Sequence, residues 1–198
     1  MASHRSPDFS GLLVRLSTAL GARGIPFMVI GGQAVLLHGE PRLTQDIDVT
    51  LGLPPERLGE ILAACAAAEL EPLPADVTTF VRETFVLPAE DQESGLRIDF
   101  IFSTTAYEAQ AIARAVAVEL SGHAVPFATA EDLLIHKLFA GRPRDIEDVR
   151  GVLRRKGEQL DWDYLRHWAR EFAAVPGRER LPAQLEELRT LGPDASEA

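Results

Sequence analysis

The chain has 198 residues, 46% hydrophobic and 25% charged, with 20 Lys and Arg against 30 Asp and Glu for a net charge of −10. That length and composition suit one globular domain, or a domain with a small appendage, and the acidity argues against a surface that grips nucleic acid throughout. Cys65 is the only cysteine, which excludes an intrachain disulfide and speaks against a thiolate zinc site.

No run of 18 apolar residues predicts a membrane span, and the opening MASHRSPDFS lacks an apolar signal core, which points to the cytoplasm. Ser6 and Pro7 read as an N-cap and a first-turn proline. Phe9, Leu12, Leu13, Leu16 and Leu20 follow at helical spacing, and Gly21 and Gly24 end that helix. Pro26 to Ile30 is a short apolar run and predicts a buried strand. Gly31-Gly32 turns it into a helix over about Gln33 to His38, which Gly39 and Pro41 break. Ile47 to Leu51 predicts a second strand. Pro54-Pro55 opens a helix carrying Leu58, Ile61, Leu62 and Cys65 on one face, where Cys65 reads as a small buried hydrophobe. Phe80 to Leu87 and Leu96 to Phe102 predict an antiparallel pair joined by the polar loop AEDQESG. Tyr107 to Arg114 predicts a short helix, and Ala115 to Leu120 with Ala124 to Phe127 a hairpin turning at Ser121-Gly122. Helices dominate from there. Thr129 reads as the N-cap of a helix through Phe139, which Gly141 and Pro143 interrupt. A second runs through Ile146, Val149 and Leu153, and Asp161 caps a third with Leu165, Trp168, Ala169 and Phe172 on its apolar face. A short helix near Ala183 to Arg189 and a disordered GPDASEA close the chain. The outline is α+β: a mixed core over residues 1–128 with its N-terminal helix, a helical part over 129–175 and a polar tail over 176–198.

Asp46 and Asp48 stand one residue apart on a predicted strand, so their side chains share a face. Two such anions repel by roughly 4 kcal/mol at 4 Å and an effective dielectric near 20, which a fold tolerates when solvent screens the pair or a cation bridges it. Magnesium is the usual bridge between oxygen ligands. Asp99 in LRIDFIF is the best third donor: Ile98, Phe100 and Phe102 take one face of that strand and Arg97, Asp99 and Ile101 the other. A carboxylate is costly to bury unpaired there, and the neighbouring Arg97 would stabilise it. A glycine turn opening a helix is where phosphates sit. Together these features predict a metal-dependent site for a nucleoside triphosphate, with displacement at the α-phosphorus and Asp99 as the best proton acceptor. Simpler readings stand beside this one. A DxD run is common in surface turns, and Lys137 also reads as an ordinary solvated helix charge, Asp145 as a helix cap and Asp148 as a partner of Arg144. The basic run from Arg142 to Lys156 is a solvated helix face or a docking surface for RNA.

GGQAVLLHG followed by RLTQDIDV resembles the opening motifs of the DNA polymerase β-like nucleotidyltransferase superfamily, nearest its minimal and AbiEii-like toxin-type members. EDLLIHKLFAGRPRDIEDV resembles that group's later motifs, a helical Lys followed by Arg-Asp-x-x-Asp, and the likeness runs from about Val29 to Val149. The resemblance implies a mixed twisted sheet flanked by helices with a helical C-terminal part. It also implies transfer of a nucleoside monophosphate from a triphosphate such as ATP, with magnesium or manganese, to a hydroxyl or phosphate acceptor. Carried over by position, Gly31 and Gly32 would present backbone amides to the triphosphate, and Asp46, Asp48 and Asp99 would ligate metal. Lys137 would reach a phosphate. Asp145 and Asp148 would orient Lys137 or contact the sugar or base, and Arg42 and Thr44 would brace the loop before the metal strand. The acceptor stays open between RNA, such as tRNA in a toxin–antitoxin setting with an antitoxin partner, and a small hydroxylated molecule. Many members of the superfamily carry a larger C-terminal domain, so the resemblance implies an acceptor-binding part that is either abbreviated here or supplied by a homodimer partner. The competing readings are a catalytically silent nucleotide-binding or protein-partner module of the same fold and a plain phosphohydrolase.

Overall fold

A computed structural model describes residues 8–44 and 46–190. The expected cap at Ser6-Pro7 and the closing GPDASEA lie outside the described residues. The described residues fall into two compact units, one drawn from Met1–Gln33 and Leu43–Ala128, the other from Ala34–Arg42 and Thr129–Ala198.

The first unit is built on a seven-stranded mixed sheet. Its strands are β1 (Phe27–Ile30), β2 (Asp46–Leu51), β3 (Leu70–Pro72), β4 (Val86–Asp91), β5 (Arg97–Phe102), β6 (Val116–Leu120) and β7 (His123–Phe127), in the order β3-β4-β5-β2-β1-β7-β6. The β2–β5 and β1–β7 pairs are parallel and the others antiparallel. Period-two alternation sorts the central strands cleanly. Ile47, Val49, Leu51, Ile98, Phe100 and Phe102 are buried on one face, while Asp46, Asp48, Arg97 and Asp99 lie on the other. Helix α1 (Phe9–Gly21) starts where Asp8 accepts the Gly11 amide at 2.8 Å, and it buries Leu12, Leu13, Leu16 and Leu20. It packs on β6, β7 and helix α3 (Leu58–Ala67). Helix α2 (Gly31–His38) follows β1 without a linker. In α3, Cys65 is buried and burial pushes its thiol up to about 12, as befits a packing residue.

The segment from Phe80 departs from expectation. Val77–Thr84 is a helix, α4, and the strand starts only at Val86. Its Val, Thr and Phe residues favour a strand locally, but Asp76 caps the helix by accepting the Thr79 amide at 3.0 Å, and buried Val81 holds it against β4. Phe85, in the left-handed region at φ +58, ends it. Ala89, Glu90 and Asp91 therefore belong to the strand rather than the loop, with Ala89 paired to Ile98 and Glu90 to Arg97. The short edge strand Leu70–Pro72, too brief to show an alternating pattern, pairs with β4. The predicted pairing of β4 with β5, helix α5 (Ala106–Arg114) and the β6–β7 hairpin are all present.

The second unit is helical: α6 (Ala130–Ala140), α7 (Pro143–Lys156), α8 (Trp162–Phe172) and α9 (Leu181–Thr190). The start and stop signals act as read. The Thr129 hydroxyl accepts the Asp132 amide at 3.1 Å and donates to the Asp132 carboxylate at 2.7 Å. Gly141 ends α6 at φ +69, where a side chain would be strained, and Asp161 caps α8 through the Tyr164 amide. Helix α6 packs against α7, α8 and α9. No helix among the described residues is long and apolar enough to cross a membrane.

Candidate active site

Backbone pairing in the first unit lines up four residues in one row across the sheet. Ile30 on β1 is opposite Asp48 on β2, Asp48 is opposite Asp99 on β5, and Asp99 is opposite Pro88 on β4. Neighbouring strands are about 4.8 Å apart, so the Asp48 and Asp99 side chains rise side by side from the same face. Asp46, two positions before Asp48, shares that face and is opposite Arg97. Parallel pairing of β2 with β5 thus brings Asp99 onto the same face as Asp46 and beside Asp48, although it follows Asp48 by 51 residues in the chain.

The two glycines are fitted to this row. Gly31 follows Ile30 with φ +62, and a Cβ there would stand 1.8 Å from the Asp48 carboxylate Oδ2. A Cβ on Gly32 would stand 2.3 Å from the Thr44 hydroxyl. A side chain at either position would have to displace another, Asp48 at Gly31 and Thr44 at Gly32, and at Gly31 the positive φ adds backbone strain. The same close approach leaves the backbone of the β1–α2 turn beside the acidic face, where a helix start presents amide hydrogens.

Asp99 and Asp46 accept from side-chain donors. Asp99 Oδ1 accepts from Arg97 Nε at 2.9 Å, with the arginine side chain 53% exposed and the aspartate 20%. Thr44 donates to Asp46 Oδ1 at 3.1 Å. Among the described residues no three His, Cys, Asp or Glu side chains close into a ready metal cage, which is consistent with these bonds: Asp99 leans to Arg97 and Asp46 to Thr44. The donor set itself is all oxygen and on one face, which fits a hard divalent cation once those bonds are exchanged.

Arg42, Lys137, Asp145 and Asp148 lie in the second unit and form one buried charge network. Lys137 Nζ is 2.9 Å from both Asp145 Oδ1 and Asp148 Oδ2. Arg42 grips Asp148 through Nε at 2.7 Å and Nη2 at 2.9 Å, a two-pronged contact matched to carboxylate geometry. Arg142 holds Asp145 through Nε at 2.6 Å, and its backbone amide donates to the same carboxylate at 3.2 Å. Burial works to raise both carboxyls. Hydrogen bonds from Arg142 and Lys137 at Asp145, and from Arg42 and Lys137 at Asp148, outweigh it and leave both below the usual range. Asp145 and Asp148 therefore share a helix face, as their i, i+3 spacing predicts, and both hold Lys137. Asp145 is also a helix cap. The Arg97–Asp99 pair follows from i, i+2 spacing on one strand face, whereas the Arg42–Asp148 grip joins positions 106 residues apart and carries no signal in sequence spacing.

A family model described as a nucleotidyltransferase of unknown function, DUF6036, matches residues 18–183, most of the chain. The chain belongs to the DUF6036 nucleotidyltransferase family. Among solved structures, the antibiotic-resistance factor ANT(2'')-Ia in solution superposes with a TM-score of 0.56 at 21% identity, covering 90% of this chain and 95% of that one. Its crystal structure in complex with adenylyl-2''-tobramycin gives 0.56 at 20% identity, with 89% and 98% covered. An antigenic nucleotidyltransferase-like protein from Paracoccidioides brasiliensis gives 0.56 at 14% identity, with 92% and 93% covered. No curated protein matches the sequence. At these identities the structural likeness establishes the nucleotidyltransferase fold, an α+β arrangement as the sequence implied, and family membership establishes the enzyme class. The likeness to the superfamily holds at that level, and nothing assigns the DUF6036 chain to the AbiEii-like branch.

Proposed function

We propose that this DUF6036 protein transfers a nucleoside monophosphate from a triphosphate to the hydroxyl of a small molecule, using the acidic face of the first unit. The observation that carries the reading is the register that makes Asp48 and Asp99 direct neighbours beside Gly31. Asp46, Asp48 and Asp99 would hold magnesium or manganese, which when bound neutralises phosphate charge and activates the attacking oxygen. The Gly31-Gly32 backbone would orient the triphosphate through its amides. Thr44 fixes Asp46, and Arg97 steadies Asp99 until the site is loaded. In the reaction the acceptor hydroxyl oxygen forms a bond to the α-phosphorus while the bond from that phosphorus to the α–β bridging oxygen breaks. Pyrophosphate leaves with the electron pair, and the hydroxyl proton passes to Asp99 or to solvent. A small acceptor is favoured by the acidity of the chain and by the fold shared with ANT(2'')-Ia, whose complex carries an adenylylated small molecule.

Incubation with each α-labelled triphosphate and magnesium, against total RNA, against pooled small hydroxylated molecules and against the protein alone, tests this. Label on a small molecule with pyrophosphate release is the expected result. Label on RNA would support the toxin-type reading with an antitoxin partner, and free phosphate without labelled acceptor would support a hydrolase. Triphosphate binding indifferent to magnesium would leave a silent binding module.

A further inference from the structure

A groove lies beside the acidic row. It measures about 540 Å³ and runs between the β3–β4 edge and helix α4 in the first unit, lined by Leu73, Asp76, Phe80, Glu83, Pro88 and Arg97 among others. It is a shallow groove open to solvent rather than an enclosed cavity, so a ligand would lie along it. Pro88 is opposite Asp99 and Arg97 is opposite Asp46, so the groove opens on the same face of the sheet as the carboxylates, one strand beyond them. Leu73 and Phe80 are large apolar side chains left 46% and 37% exposed at its wall.

Sheet order decides what such a groove is positioned to bind. The row across the sheet reads Ile30, Asp48, Asp99, Pro88, with the Gly31-Gly32 turn beyond one end and the groove at the other. Displacement at phosphorus places the attacking and leaving oxygens on opposite sides. A triphosphate held at the glycine turn therefore sends its pyrophosphate toward β1 and receives its acceptor from the β4 side. The chemistry of the walls narrows the acceptor further. Asp76 and Glu83 supply two carboxylates, and accepting the Thr79 amide holds the Asp76 carboxyl below its usual range. The groove's arginine, Arg97, is already engaged by Asp99. With Arg82 acting on Asp76 and Arg97 turned to Asp99, the Glu83 and Asp76 carboxylates still leave the wall acidic, so a protonated amine would find partners there and an apolar body would cover Leu73 and Phe80.

We infer that the groove bounded by α4 and β4 is the acceptor site, and that the acceptor is a small hydroxylated amine with an apolar face. The inference rests on the nucleotidyltransferase reading of the carboxylate row and adds to it the side of entry and the charge of the acceptor.

The test uses the full chain with magnesium and ATP and two probes, 2-amino-1-phenylethanol and its N-acetyl derivative, which keeps the hydroxyl and ring and loses the charge. NMR titration is expected to show the amine binding about tenfold tighter than the amide, with shifts at Leu73 and Phe80, and label transfer to the amine. The Asp76→Asn, Glu83→Lys double variant keeps a good helix cap and is expected to abolish that preference while its magnesium–ATP affinity stays within about twofold of the parent. Equal binding of the two probes, or a preference that survives the double variant, overturns the inference while leaving the carboxylate site standing. Preferential labelling of an RNA oligonucleotide does the same. Failure of the parent protein to bind magnesium–ATP overturns the carboxylate reading, and the acceptor role falls with it.

Discussion

Gly31 and Asp48 are in such close approach that no side chain fits between them: a Cβ on Gly31 would lie 1.8 Å from the aspartate's Oδ2. Gly31→Ala must therefore push the carboxylate aside while also holding a left-handed φ of +62, at a cost of about 1–2 kcal/mol for the backbone alone. The expected outcome is a melting point lower by several degrees and a transfer rate reduced about a hundredfold, because a shift of roughly 1 Å in a reacting group costs that much. Calorimetry and a labelled-triphosphate assay read the two effects separately. A variant with full activity would remove Asp48 from the reacting constellation.

Asp48→Asn removes one of two anions that face each other across neighbouring strands. Relief of like-charge repulsion is expected to leave the melting point in chelator unchanged or raised, while transfer is lost. Magnesium should raise the melting point of the parent and have little effect on the variant. Equal magnesium stabilisation of both proteins would show that the ion binds elsewhere.

Lys137 lies buried between Asp145 and Asp148, each of which also has an arginine. Removing its charge leaves two desolvated carboxylates with one partner apiece, so Lys137→Met is expected to cost about 3 kcal/mol in chemical denaturation. The superfamily resemblance implies a phosphate contact for Lys137; were it to make one, Lys137→Ala would weaken triphosphate binding more than metal binding in calorimetric titration. Equal weakening of both would leave it a structural residue alone.

Acid sensitivity should arrive in two stages. Burial pushes His136 down from 6.5 to about 4, with Asp132 raising it and Lys137 lowering it further. Between those values the unfolded chain binds a proton that the folded chain refuses, so stability falls as pH falls from 6.5 toward 4. The Asp145 and Asp148 carboxyls are held below their usual range. Their contribution is complete above the ordinary carboxylate value of about 4 and is lost as pH falls through their lowered folded values. Denaturation midpoints across pH should therefore slope through both windows, and His136→Phe should flatten only the upper one.

Local chemistry in the chain determined much of this protein. The caps at Thr129 and Asp161, the breaks at Gly141 and Pro143, the alternation of Ile98, Phe100 and Phe102 with Arg97 and Asp99, and the glycine turn after a buried strand all act over a few residues, so they are legible without a fold. Tertiary structure decided what local preference points away from or leaves open. The strand-forming residues of Val77–Thr84 became helix because a cap and a buried valine outweigh propensity. Parallel pairing of β2 with β5 chose Asp99 as Asp48's neighbour, and close packing set Gly31 against Asp48 and Gly32 against Thr44. Burial turned Lys137 from a plausible surface charge into the centre of an ion network with Asp145 and Asp148. Distance along the chain says little about distance in space, and a carboxylate's partner is set by register and burial, which only the folded sheet and helices define.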